Sequence, residues 1–195
     1  MTNNPSASKK RTTPVSYITK IAVLAALSVI LYAFIRIPLF PVPPFNVLKL
    51  DFASIPSLLG GFAMGPVAGV AIEGIKVLVK FAADPTETAG VGELSNFIVS
   101  IAFILPASIV YKYHKSRKGA VLGMITGVLT CVIVGALSNY FIIVPFYAKM
   151  FMPSIMNVRV VFAFGYCVAL NAIKTIIASV LTYALYKRLS PILHL

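Results

Sequence analysis

Asn171 and Lys174 stand three residues apart inside the apolar run 160–186, VVFAFGYCVALNAIKTIIASVLTYALY. A run of this length crosses a bilayer, which takes about 20 residues at 1.5 Å rise each, so the lysine falls near the middle of a span. An ammonium at that depth costs about 2.5 to 3.5 kcal/mol on insertion scales and must face a partner, a water-filled cavity or a ligand. Asn171 lies one turn earlier on the same face. Two readings fit the pair: a polar clasp between helices, or the floor of a binding pocket.

Other polar residues are candidates for the same kind of chemistry. Asn139, in the run Ser138-Asn139-Tyr140-Phe141, is a second amide within an apolar stretch. From Leu48 to Phe52 apolar and polar residues alternate, so Lys49 and Asp51 share a face if the segment is extended. The sequence Gly90-Val91-Gly92-Glu93-Leu94-Ser95-Asn96 opens an apolar run. Its glycines let backbone approach a ligand closely, and a helix N-terminus there offers N–H groups to oxygen atoms. Glu93 fits equally well as a first-turn acid favoured by the helix dipole. Glu73 and Lys76, three apart in another apolar run, are best read as partners that lower each other's cost of burial.

Catalytic sets are missing from the sequence. His114 and His194 stand far from these residues, at the ends of apolar runs, and no Ser/His/Asp set, carboxylate pair or metal-ligand cluster can be assembled. Residues 69–76 lack the Gly-Lys-Ser/Thr order of a nucleotide-binding loop, so ATP hydrolysis by that route is excluded. Cys131 and Cys167 both sit in apolar runs, where cysteine behaves as a small hydrophobe.

The elements that position these residues follow from composition. Of 195 residues 59% are hydrophobic and 11% charged, against about 25% charged in soluble domains, and the mean hydropathy is +0.93. This is an all-α polytopic membrane protein. Six spans are expected at 17–35, 54–64, 66–81, 93–111, 119–145 and 160–186. The net charge of +12 comes from clusters at Lys9-Lys10-Arg11, 112–118 (KYHKSRK) and Lys187-Arg188, each beside the end of an apolar run. That bias places both termini in the cytoplasm.

Residues 1–15 form a polar, disordered tail and 16–190 a single membrane domain. Segment 36–51, RIPLFPVPPFNVLKLD, has four prolines in seven residues and is expected as a long outer loop or a lid. Ala22 and Ala26, four apart, let another helix approach, and Gly119, Gly123 and Gly127 suit tight helix packing. With no tryptophan, Tyr17, Tyr111, Tyr113, Tyr147 and Tyr186 are expected as the interfacial belt. Lys49, Asp51, Glu93, Asn96, Asn139, Asn171 and Lys174 then all fall in outer loops or in the outer-to-middle parts of spans. Together they outline a cavity open to the outside.

The segments LKLDFASIPSLLGGFAMGP, GVGELSNF and SNYFIIVPFY, with the Asn171-x-x-Lys174 pair, resemble the riboflavin-specific substrate-binding (S) component of energy-coupling factor (ECF) transporters. The resemblance extends over 17–189. It implies a prokaryotic plasma-membrane protein with outer loops capping a ligand cavity, which captures riboflavin as cargo rather than cofactor and is not itself an enzyme. It implies docking, through Ala22 and Ala26, on a transmembrane coupling (T) component and two ABC-type ATPases that reorient it and release the vitamin inside.

Carried over by motif, Asn139, Asn171 and Lys174 hold the ring, while Leu48, Lys49, Asp51, Gly92, Glu93 and Asn96 meet the ribityl chain. Amides match the mixed pyrimidine edge, and a lysine can donate to a carbonyl without a carboxylate partner. Lys174→Ala is then expected to weaken binding while sparing, or raising, stability. Rival readings are an S component for another vitamin, or a membrane enzyme or scaffold without this ligand.

Overall fold

A computed structural model describes residues 14–40, 45–83 and 90–193. Most of the expected tail (1–13), residues 41–44 of the proline-rich segment, and residues 84–89 and 194–195 lie outside the described residues. The first helix, α1, runs Pro14–Phe34 and takes in the last two residues of the expected tail. Proline suits a helix start, because the N–H it lacks has no partner there. The chain continues through β1 (Ile37–Pro38), β2 (Lys49–Leu50), α2 (Ser54–Met64), α3 (Pro66–Ala83), α4 (Val91–Tyr113), α5 (Arg117–Ser138), α6 (Val144–Met150) and α7 (Cys167–Leu193).

Among the described residues four helices are long and apolar enough to cross a membrane: Pro14–Phe34, Val91–Tyr113, Arg117–Met150 and Val161–Tyr186. The other two expected spans are also helical. However, α2 has only 11 residues and α3 carries Glu73, Lys76 and Lys80. Gly65, at φ +102°, turns the chain sharply between them, and Pro66 starts the next helix.

The fifth span does not stop near Pro145. It passes through a wide π turn, Asn139–Ile143, into α6 and ends at Met150. The widened turn lies just ahead of a proline that cannot donate to the helix ladder, and such turns often mark functional sites. A second π turn, Val161–Tyr166, leads into α7.

α4 and α5 pack closely because glycines meet backbone. A Cβ on Gly123 would come within 2.6 Å of the Ala107 carbonyl, and one on Gly127 within 2.5 Å of that of Phe103. The packing expected from the glycine spacing is therefore present. A core of Leu58, Phe62, Phe103, Ile104, Met124 and Ala178 fills the bundle beside them. Tyr111 departs from its expected place in an interfacial belt. Its ring stacks on Phe62 at 4.6 Å and its hydroxyl lies 2.6 Å from that of Tyr186, so the pair satisfies its polar groups inside the bundle.

Candidate functional site

The segment that enters α2 carries Asp51 into the protein. β1 and β2 pair antiparallel, Ile37 opposite Leu50 and Pro38 opposite Lys49, so part of the proline-rich segment is a small hairpin. Lys49 stays exposed, whereas Asp51 is buried and turns inward; the two do not share one environment. The Ala53 N–H donates to Asp51 Oδ1 at 3.1 Å. Oδ2 accepts from Lys174 Nζ at 2.7 Å and from Asn96 Nδ2 at 3.1 Å. Burial pushes this carboxyl up, but the ammoniums of Lys174 and Lys76 and the hydrogen bonds from Lys174 and Ala53 outweigh it and hold it below the ordinary aspartate value.

The intramembrane lysine thus has a carboxylate partner, contrary to the expectation that it needs none. The reason is that an unpaired charge in a dry site is costly, and a loop in contact with α7 supplies its complement. The clasp and pocket readings are also not exclusive, because both members of the ion pair border a cavity of about 340 Å3. Small-molecule pockets have volumes of about 300 to 1,000 Å3.

The two amides converge across Gly135. Asn139, at the start of the first π turn, donates from Nδ2 to the Gly135 carbonyl at 2.8 Å. The position of a Cβ on Gly135 lies 2.6 Å from Nδ2 of Asn171. With no side chain at 135, α5 and α7 approach closely enough for both amides to border the same space. Gly92, Glu93 and Asn96, on the first turns of α4, form another wall, and Leu48 and Lys49 stand at the hairpin side. Glu93 is buried there. All nine residues expected to contact a ligand therefore border one cavity. Ala22 and Ala26 are elsewhere, exposed on α1 away from the face that buries Leu24, Ala25, Ser28 and Tyr32.

The structure adds wall residues that sequence reasoning missed. Ile143, Val144, Phe162 and Leu170 line the cavity with apolar surface. Within apolar runs nothing distinguishes such positions from lipid-facing ones. Tyr32 and Arg36, from the end of α1, also border it. The Arg36 guanidinium lies 4.0 Å from the Tyr32 ring centroid and its Nε donates to the Tyr32 carbonyl at 2.9 Å. An arginine just past a span end was the available signal. Phe45, in a short 3-10 turn between the strands, stacks on Tyr166 at 3.8 Å and lies 5.9 Å from Phe162. Phe40 meets Tyr166 edge-on at 4.7 Å. The proline-rich segment is therefore pinned by aromatic contacts to the start of the last span.

Comparisons with known proteins identify the family. The chain is 34% identical over 175 residues to the riboflavin transporter RibU of Staphylococcus aureus (strain TCH60), covering 87% of this chain and 88% of that protein. It is 32% identical over 133 residues to the riboflavin transporter FmnP of Bacillus subtilis (strain 168), covering 67% and 69%. A solved structure of the S component of a bacterial ECF transporter superposes with a TM-score of 0.76 at 30% identity, over 93% of this chain and 99% of that one. The sequence model of the family described as ECF transporter, substrate-specific component, matches residues 16–186, and the chain belongs to that family.

Proposed function

We propose that this chain captures riboflavin at the outer face of a prokaryotic plasma membrane and delivers it as the substrate-specific subunit of an ATP-driven ECF transporter. In this reading six helices cross the membrane, both termini are cytoplasmic, and the paired strands with their intervening segment cap the cavity. A transmembrane coupling component and two ABC-type ATPases supply the movement and the ATP hydrolysis. The observation that carries the proposal is the convergence of Asn139, Asn171 and Lys174 beside an apolar wall in one cavity.

Riboflavin has a flat, partly apolar ring whose pyrimidine edge mixes donors and acceptors, and a polyhydroxylated ribityl chain. Two amides offer both donor and acceptor to such an edge, and the lysine has ammonium protons beyond the one directed at Asp51. Ile143, Val144, Phe162 and Leu170 supply the apolar contact that a flat ring needs. Leu48, Lys49, Asp51, Gly92, Glu93 and Asn96 are assigned to the ribityl end, where hydroxyls meet carboxylates, an amide and backbone N–H groups.

Purification without added ligand tests the reading. Expected are a yellow protein with a flavin absorption spectrum, riboflavin identified by mass spectrometry, and saturable rebinding after the vitamin is stripped. Recovery of a different ring compound would reassign the substrate within the same family. A protein that never binds riboflavin ends the proposal.

A further inference from the structure

Glu73 and Lys76 are fully buried on α3, and neither borders the cavity. Lys76 nevertheless meets two of its wall residues, the ring of Tyr32, with the centroid 4.9 Å away, and the amide of Asn96. Its ammonium pairs with the Glu73 carboxylate and donates at 3.0 Å to Oδ1 of Asn96. Nδ2 of Asn96 in turn donates at 3.1 Å to the Asp51 oxygen that also accepts from Lys174. Ser57 closes the far end by donating to Glu73 at 2.8 Å. One continuous run of hydrogen bonds, Ser57 to Glu73, Lys76, Asn96, Asp51 and Lys174, therefore joins α2, α3, α4, the end of the hairpin segment and α7.

The amide at its centre is held in one orientation by charge. A carboxamide presents an acceptor at one end and two donors at the other. In place, its oxygen faces an ammonium and its nitrogen a carboxylate; turned over, donor would face cation and oxygen would face anion. Ser100, 3.3 Å from Oδ1, cannot enforce this choice, because a hydroxyl can either donate or accept. Among the described residues, Lys76 is the charged group that holds the oxygen end, as Asp51 holds the nitrogen end. The second Asn96 donor and the geometry of the Asp51–Lys174 pair then follow.

We infer that Lys76, secured by Glu73, is a positioning residue for ligand binding: it holds the oxygen end of Asn96 opposite Asp51, and so the polar wall that meets the ligand, without touching the ligand itself. A purely structural role accounts poorly for such a pair, since apolar residues packed in place of a buried ion pair are often as stable or more so. The assignment rests on the riboflavin reading above.

The test compares riboflavin affinity and the melting temperature of ligand-free protein in detergent for wild type, Glu73→Gln/Lys76→Met, Asn96→Ala and the triple variant. The charge-neutral double variant avoids stranding a buried ion. Expected are an unchanged or raised melting temperature, an affinity weakened about tenfold, the equivalent of one hydrogen bond, and no further loss when the double change is added to Asn96→Ala. Should the methionine version fail to fold, Glu73→Gln/Lys76→Gln, which keeps buried hydrogen bonding, gives the same comparison. Unchanged affinity, losses that add in the triple variant, or failure of both versions to fold would each overturn the assignment. Wild-type protein that binds no riboflavin overturns the functional reading instead and takes this inference with it.

Discussion

The Lys174 ammonium lies 2.7 Å from the Asp51 carboxylate, across 123 residues of sequence, and both groups are almost wholly buried beside the cavity. This pairing changes what removing the lysine does. Lys174→Ala leaves Asp51 buried without its cation, a situation that destabilises by about 3 to 5 kcal/mol, and on the proposed function it also removes a ligand donor. The expected outcome is a lower melting temperature together with weaker riboflavin binding. Asp51→Asn/Lys174→Met removes both charges and should recover most of the stability but not the affinity. Calorimetry and flavin titration on the same preparations measure both. A melting temperature that rises in Lys174→Ala would mean the ion pair does not form.

Gly135 separates Asn139 from Asn171. A methyl group there would lie 2.6 Å from Asn171 Nδ2, so the amide must move. Gly135→Ala should weaken riboflavin binding roughly tenfold, the loss of about one well-placed hydrogen bond. Helix propensity favours the alanine by about 1 kcal/mol and offsets part of any packing loss, so the melting temperature should change little. Affinity equal to wild type would show that Asn171 does not contact the ligand.

The stacking of Phe45 on Tyr166 anchors the segment proposed to cap the cavity. Aromatic pairs of this kind contribute about 0.5 to 1.5 kcal/mol beyond their buried area. Phe45→Ala should speed riboflavin dissociation a few-fold to about tenfold and raise protease sensitivity of the 36–51 segment in the ligand-bound protein. Stopped-flow flavin fluorescence and limited proteolysis report these separately. Identical dissociation rates in the two proteins would remove the cover from the binding mechanism.

Ala22 and Ala26 are exposed on α1 and leave a shallow face between Ile18 and Ile30. Bulky residues on such a face hinder the close approach of another helix. Ala22→Leu and Ala26→Leu should therefore abolish most uptake in cells that carry the complete transporter, while the isolated variants bind riboflavin as wild type does. Parallel loss of binding and uptake would instead assign these alanines to packing of the fold.

A bundle of apolar helices is legible in the chain alone, because hydropathy and proline placement decide which segments can satisfy their backbone in lipid. The sequence also marked many of the polar residues in the cavity wall. Asn139, Asn171 and Lys174 are conspicuous there because polar groups in apolar runs carry a penalty that demands a use. Their partners emerge from the packing of the fold. That Lys174 meets Asp51, that Lys76 reaches the cavity through Asn96, and that Gly135 separates two amides are contacts between residues distant in the chain, and helical periodicity carries no information about them. The aromatic pin at Phe45 was hidden for a different reason. Apolar side chains on an apolar helix look alike whether they face lipid, core or ligand, and only the packing of the loop against the last span distinguishes Phe162 and Tyr166 from their neighbours.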